Sequence, residues 1–429
     1  MRAILILDMS YTLKMFRERG MEKALESRKL GGYFSKVISV HPLSGLLASG
    51  DERFGEPVIT ALDDSHVFVE GKIGISRKLR FISPLNLLLA QIRLIRQLLR
   101  MAREVRVDVI RIGDPYYLGI IGLILAWRLQ VPLAVRVCFR YDDIYRITGK
   151  PVNPRLFGFR WIEKVIERFV FKRCDLIAGA NEDNMNYALE NGGRREVATV
   201  FRYGNLIHAD HWQDPQARAH ADKILAELGL ADGKFIATIA RLEPMKCVED
   251  TIRVIGQLLL RGHKMKGLII GDGTRKSELQ NLAVQLGIEN FVVFAGNRPQ
   301  EWIAAVLPQA TVIVSPHMGR ALTEAALAGV PIVAYDYDWQ REVVVDGQTG
   351  YLVPNEDWRG LADKIEIIFN NPAQGKKMGE KAREKIMQMM DPGKLEIHEQ
   401  NEYSKMFERY FTRHPEVLNG RASCRQPRE

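Results

Sequence analysis

Short apolar runs recur along nearly the whole chain, separated by stretches in which apolar side chains return every three or four positions. Runs of the first kind suit buried parallel strands and stretches of the second suit crossing helices, so the alternation predicts an α/β protein. In the first half the expected strands are 3–7, 37–40, 109–112, 133–137, 176–178 and 197–200, with amphipathic helices at 84–105 and 161–171 between them. A polar stretch at 208–219 with little periodicity then reads as a boundary. The rhythm resumes beyond it, with strands at 235–239, 266–270, 292–294, 311–314 and 331–334 and helices at 248–261, 276–286, 302–307 and 321–328.

This beat predicts two doubly wound domains, 1–205 and 233–392, joined by a linker at 206–232. In each, ligands would gather at the carboxyl ends of the strands. The helix 393–415 carries Tyr403, Phe407, Tyr410 and Phe411 on one stripe and is expected to pack back on the body, leaving a frayed tail at 416–429.

Length agrees, since 429 residues exceed what one core usually organises. A net charge of +9 favours anionic partners, although a basic solvated surface accounts for it as well. No recognised nucleic-acid-binding module accompanies that charge, so nucleic acid is not the expected partner. The four cysteines, Cys138, Cys174, Cys247 and Cys424, lack metal-ligand spacing and fit a reducing cytoplasm. Residues 3–7 are too brief an apolar run for a signal peptide, and the uncharged run 116–127 is too short to span a bilayer.

Five turns that follow second-half strands carry candidate chemistry. Arg241 lies just past one strand, with Lys246 about a turn later; fixed cations there would stabilise the negative charge that a departing diphosphate gains. Gly271-Asp272-Gly273 permits either a tight turn or close approach of backbone to a ligand. Gly296-Asn297-Arg298-Pro299 is placed to wall the pocket of a flat base. Gly319 introduces a helix whose early amides, at Arg320, Ala321, Leu322 and Thr323, point toward a phosphate. Glu324 follows in that helix, where a carboxylate accepts two hydrogen bonds from vicinal hydroxyls such as those of a ribose. The fifth turn, in 341–350, packs over the same edge. Asp336-Tyr337-Asp338 has the form of a metal-nucleotide motif but reads as a loop, and no cluster has metal-ligand spacing.

In combination, Ala240-Arg241-Leu242 with Lys246, Ile270-Gly271-Asp272-Gly273, Ser315, Gly319, the run from Glu324 to Ala334 and the run from Glu342 to Val353 resemble the second domain of the retaining glycosyltransferases of family four. That resemblance covers about Phe235 to Leu352; in the first half only the strand-helix rhythm and the run from Val200 to Asn205 match. It implies the GT-B fold, two Rossmann-like domains facing across a cleft that closes on its substrates. It implies a hexosyltransferase-type enzyme whose nucleotide-sugar donor is a substrate, with no cofactor and no metal. Arg241 and Lys246 would hold the donor diphosphate, Glu324 the ribose, and the amides near Gly319 the phosphate or sugar. The leaving diphosphate would deprotonate an unidentified hydroxyl acceptor on the same face, giving retention. Two positions depart from the family pattern. Pro316 stands where a sugar-contacting glutamate is usual, with His317 beside it either as a substitute partner for the sugar or as a helix-entry histidine without a ligand. Cys138 stands where a first-domain strand often ends in histidine.

On the acceptor side, Asp114, Arg140 and Asp142 follow first-domain strands, where Asp114 and Asp142 serve either as general base or as caps. The basic run Lys72, Arg77, Lys78 and Arg80, with the leucine-rich helix 84–105, suits either peripheral contact with an anionic membrane or plain core packing. The rival readings are a GT-B-like nucleotide-sugar-binding scaffold without turnover, and a GT-B sugar phosphorylase or epimerase. Oligomeric state is left open.

Overall fold

The computed structural model describes residues 2–18, 20–153, 156–202, 215–231 and 233–417. Its contacts divide into two units, Met1–Tyr203 with Pro392–Glu429, and Gly204–Asp391.

In the first unit the strands are β1 (Arg2–Leu7), β2 (Phe34–His41), β3 (Val58–Asp63), β4 (His66–Glu70), β5 (Val109–Ile112), β6 (Leu133–Val137), β7 (Leu176–Gly179) and β8 (Ala198–Val200). They form one sheet in the order β3-β4-β2-β1-β5-β6-β7-β8, in which only the β3–β4 pair is antiparallel. The central strands are apolar on both faces because helices cover both. The hairpin β3–β4 was not expected from the sequence: β3 is an edge strand with mostly solvated positions, so it has no apolar run to betray it.

The second unit holds β9 (Lys234–Ile239), β10 (Met265–Ile270), β11 (Val292–Gly296), β12 (Val312–Ser315), β13 (Ile332–Tyr335) and β14 (Gly350–Val353). Every pair is parallel and the order is β11-β10-β9-β12-β13-β14. The sheet grows in one direction from β9 to β11 and then in the other from β12. Between β9 and β12 the crossovers diverge, and the carboxyl ends of those two strands frame the crevice where such sheets bind ligands.

One expectation needs correction. The helix Pro215–Glu227 occupies much of the expected linker; Ala221 is buried, and Ile224 and Leu225 join the core of the second unit with Phe235 and Ile303. The apolar pair Ile224-Leu225 with Leu228 is a helical stripe that the polar residues before it obscured. Residues 203–214, 232 and 418–429, with them parts of the linker, the start of the expected second-domain boundary and the tail, lie outside the described residues. The helix Pro392–Arg413 packs on the first unit, where Tyr403, Met406 and Phe407 join Ile4, Phe34 and Val109. Burying each such ring is worth about 2 kcal/mol.

Candidate functional site

The site grows from the turns after β9, β10, β12 and β13. After β9 the chain runs through Arg241 into a short 3-10 turn, Pro244–Lys246, and Cys247 takes a left-handed conformation (φ 49°) before the helix Val248–Leu260 begins. This kink redirects the backbone so that Lys246 does not continue along the helix. Its ammonium lies over the turn after β12: a Cβ added to Gly319, whose φ is 65°, would sit 3.0 Å from Lys246 Nζ. Glycine is required there for the backbone conformation and for the cation that approaches it.

Gly271 and Gly273 prove to be what lets the β10 turn lie against the loop that carries Arg241. A Cβ on Gly271 (φ 138°) would be 1.9 Å from the Ala240 carbonyl oxygen, and one on Gly273 would be 2.5 Å from that of Leu242. The amide of Leu242 donates to the Asp272 carbonyl (3.0 Å), and Arg275 N donates back to the Leu242 carbonyl (3.0 Å). Their demand for glycine is thus explained by neighbouring backbone, so of the two sequence readings the turn is the one the geometry supports.

The turn from Ser315 to Arg320 is clamped from β13. Gln340 donates through Nε2 to the carbonyls of Pro316 (2.8 Å) and Tyr335 (3.0 Å) and pairs with Ser315 Oγ, while Trp339 Nε1 donates to Gly319 O (3.1 Å). His317 is committed to the same framework. Its Nδ1 donates to the Met245 carbonyl (2.8 Å), its Nε2 lies 3.3 Å from Asn355 Oδ1, and its ring stacks on Tyr337 at 4.2 Å. His317 therefore ties the Gly319 turn to the Lys246 turn, which makes it a positioning residue of the site. Asp336 pairs with Arg341 (3.0 Å), as a loop residue does, and Asp338 (φ 54°) faces Lys246 electrostatically.

The helix Ala321–Leu327 buries Leu322, Thr323, Ala325 and Ala326 and leaves Glu324 half-buried. The amides of Leu322 and Thr323 are used by its own first turn, donating to Gly319 O and Arg320 O. With only seven residues, this helix contributes through its dipole at most about 1 kcal/mol to binding an anion. Charged hydrogen bonds from Arg241 and Lys246 are worth about 1.5–3 kcal/mol each, so the cations dominate.

Electrostatics point the same way. Burial lowers the Lys246 pKa, and like charges on Arg241 and Arg320 lower it further, against Asp338. An arriving dianion would relieve that repulsion. Burial pushes the Glu324 carboxyl up to about 6, with Arg320 opposing. Among the described residues, Glu324, Arg241 and Lys246 make no ion pair within 4 Å and no side-chain hydrogen bond. Glu324 must be ionised to accept from two hydroxyls. Affinity for a nucleotide sugar, measured by calorimetry from pH 5 to 8, is therefore expected to fall below about pH 6 and to lose that dependence in Glu324→Gln.

Arg298 follows β11, in the turn whose Gly296 carbonyl accepts from Gly271 N (2.9 Å). Its Nε donates to Ala295 O (2.8 Å) and its guanidinium lies 5.1 Å from the Trp302 ring. Among the described residues no group of His, Cys, Asp or Glu is arranged to hold a metal ion.

In the first unit the three acceptor-side candidates separate. Arg140 is neutralised by Asp183 (3.2 Å) and Glu190 (2.9 Å). Asp142 is held below its ordinary pKa by Lys164 (2.5 Å) and Arg160 (2.8 Å), against the cost of burial. Asp142 thus joins the ion-pair network around Arg160, while Arg140 is paired with the acids of the helix Glu182–Glu190. Asp114 caps the turn before the helix Tyr117–Leu129 by accepting from Tyr116 N (2.8 Å), yet burial raises its pKa to about 7. At the ends of β1 and β2 lies a cavity of about 300 Å³ lined by Met9, His41, Leu43, Leu46 and Asn153. His41 is buried, and neither of its ring nitrogens finds a hydrogen bond of normal geometry among the described residues. Reading β2 as ending at Val40 had hidden His41; a histidine closing an apolar strand was the signal available. Cys138, Cys174 and Cys247 are free thiols.

With this geometry in view, comparison with known proteins is informative. The fold is GT-B: a structure of Anabaena Alr3699/HepE in complex with UDP superposes with a TM-score of 0.69 over 94% of this chain and 100% of that one, at 18% identity. Sucrose-phosphate synthase from Thermosynechococcus elongatus gives 0.69 over 95% and 100%, at 16% identity. Residues 221–385 match the model of the glycosyl transferases group 1 family, and residues 47–204 match that of a glycosyl transferase 4-like domain. A D-inositol 3-phosphate glycosyltransferase of Streptomyces avermitilis is 29% identical over 62% of this chain and 58% of its own length. The alpha-D-kanosaminyltransferase of Streptomyces kanamyceticus is 26% identical over 41% and 47%. The matched segments thus span about half the length of these curated relatives.

Proposed function

We propose that this protein transfers a sugar from a nucleotide-sugar donor to a hydroxyl acceptor with retention of anomeric configuration. The observation that carries the reading is the seating of Lys246 Nζ against Gly319, with Arg241, Arg320 and the unengaged Glu324 carboxylate at the switch point of the β9–β12 sheet. The diphosphate lies on the cations and the ribose hydroxyls donate to Glu324. The bond between the anomeric carbon and the phosphate oxygen breaks with its electron pair going to that oxygen, where Arg241 and Lys246 stabilise the charge. The acceptor oxygen bonds to the same face of the anomeric carbon, and its proton passes to the departing diphosphate. No step requires a metal or a protein nucleophile. The acceptor is held in the first unit at the cavity beside His41, whose neutral imidazole accepts from or donates to a hydroxyl. The free cysteines favour a cytoplasmic setting.

The solved neighbour bound to UDP makes uridine sugars the first donors to try, with guanosine sugars beside them. Mass spectrometry of the protein incubated with such a panel is expected to show released nucleoside diphosphate. An isomerised donor would indicate an epimerase instead. Binding without turnover across varied acceptors would favour a scaffold, the reading that Pro316 and Cys138 keep in play.

A further inference from the structure

We propose that the outward face of three helices in the first unit docks on an anionic lipid bilayer. The helices Ser83–Val105, Tyr117–Leu129 and Arg160–Phe171 lie side by side. Gly119 brings the last two together so closely that a Cβ there would be 2.8 Å from Val170 Cγ2. Each helix turns an apolar stripe to solvent. Leu85, Leu88 and Ile92 are exposed on the first, and Ile120, Ile124 and Trp127 on the second. On the third, Trp161 is 67% exposed, Val165 62% and Phe169 50%. Isolated exposed apolar residues are ordinary, but three adjacent stripes make a surface that calls for a partner. Only part of the leucine-rich helix 84–105 takes part, since its Leu94 and Leu98 are core.

Charge selects the partner. The acids of these helices are Glu104, Glu163 and Glu167, and the last two are fully buried against Arg160 and Lys164. The exposed charges are otherwise basic, among them Arg96, Arg100, Arg128 and Arg168, with Arg173 just past the end of the third helix. Arg128 lies 4.9 Å from the Trp127 ring and Arg173 3.6 Å from the Phe169 ring, so two of the three aromatics that would enter the headgroup region carry a cation with them. A second copy meeting this face would set positive charge against positive charge, whereas an anionic leaflet attracts it. No described helix is long and apolar enough to cross a membrane, so the contact lies on the surface. This inference is independent of the sugar-transfer reading.

The test is flotation of the full chain with vesicles of phosphatidylcholine alone and with about one quarter phosphatidylglycerol. Binding to the anionic vesicles should be at least about tenfold stronger, weaken in high salt, and fall about tenfold in a variant combining Trp127→Gln, Trp161→Gln and Phe169→Gln. Wild-type protein that stays in solution, or a variant that binds equally well, would overturn the proposal. So would lipid-free sedimentation showing a dimer that the variant abolishes. Should the variant fail to fold, brominated lipid chains must quench wild-type tryptophan fluorescence; absence of quenching would be equally decisive against the idea.

Discussion

Lys246→Ala is expected to lower the rate of nucleoside diphosphate release about 10²–10³-fold, the cost of removing one preorganised donor from developing charge. The ammonium is seated before any substrate arrives: the left-handed Cys247 turns it toward Gly319, and the His317–Met245 hydrogen bond fixes the turn that holds it. It is also under electrostatic pressure. Burial and the charges of Arg241 and Arg320 disfavour its protonated form, and a diphosphate removes that penalty most when its charge is greatest, as the bond to sugar breaks. The variant should therefore lose more in kcat than in donor affinity, where a loss of about 1.5–3 kcal/mol is expected. Initial rates at saturating donor decide the point. A Lys246→Ala enzyme with normal kcat would remove this lysine from the chemistry.

Gly271→Ala should have the largest effect on folding. The new methyl would need to occupy space 1.9 Å from the Ala240 carbonyl oxygen, and the backbone there, at φ 138°, is one that side-chain-bearing residues rarely adopt. Relief requires moving either β10's turn or the β9 turn that carries Arg241. A destabilisation of about 4 kcal/mol or more is expected, lowering the melting temperature by about 8–16 °C for a unit of this size. Gly347→Ala is the comparison, since Gly347 has φ 70° but nothing within 4 Å of its added Cβ, leaving only local strain of about 1 kcal/mol. Equal melting temperatures for the two variants would show that the β10 turn is not locked against Ala240.

Much of this was legible in the sequence because the central strands are buried on both faces and so announce themselves as apolar runs. The candidates Arg241, Lys246, Gly319 and Glu324 were legible because each follows such a strand by a few residues. What stayed hidden depends on contacts between distant segments. Nothing local tells that Gly271 answers to Ala240, that His317 answers to Met245, or that Trp339 and Gln340 hold the Gly319 turn. Arg140 and Asp142 follow a strand as a site residue should, but nothing local tells that the helices carrying Asp183 and Arg160 supply their ion-pair partners. The edge strand β3 leaves little pattern because most of its positions are solvated, and β4 presents only the five residues His66–Glu70.

The central claim is that Arg241, Lys246 and Glu324 converge on one nucleotide. A crystal structure of the protein with UDP or GDP tests it most directly. The account predicts diphosphate oxygens within about 3 Å of Lys246 Nζ and the Arg241 guanidinium, and both ribose hydroxyls donating to the Glu324 carboxylate. A nucleotide bound with its phosphates away from Lys246 and its ribose away from Glu324 would contradict it.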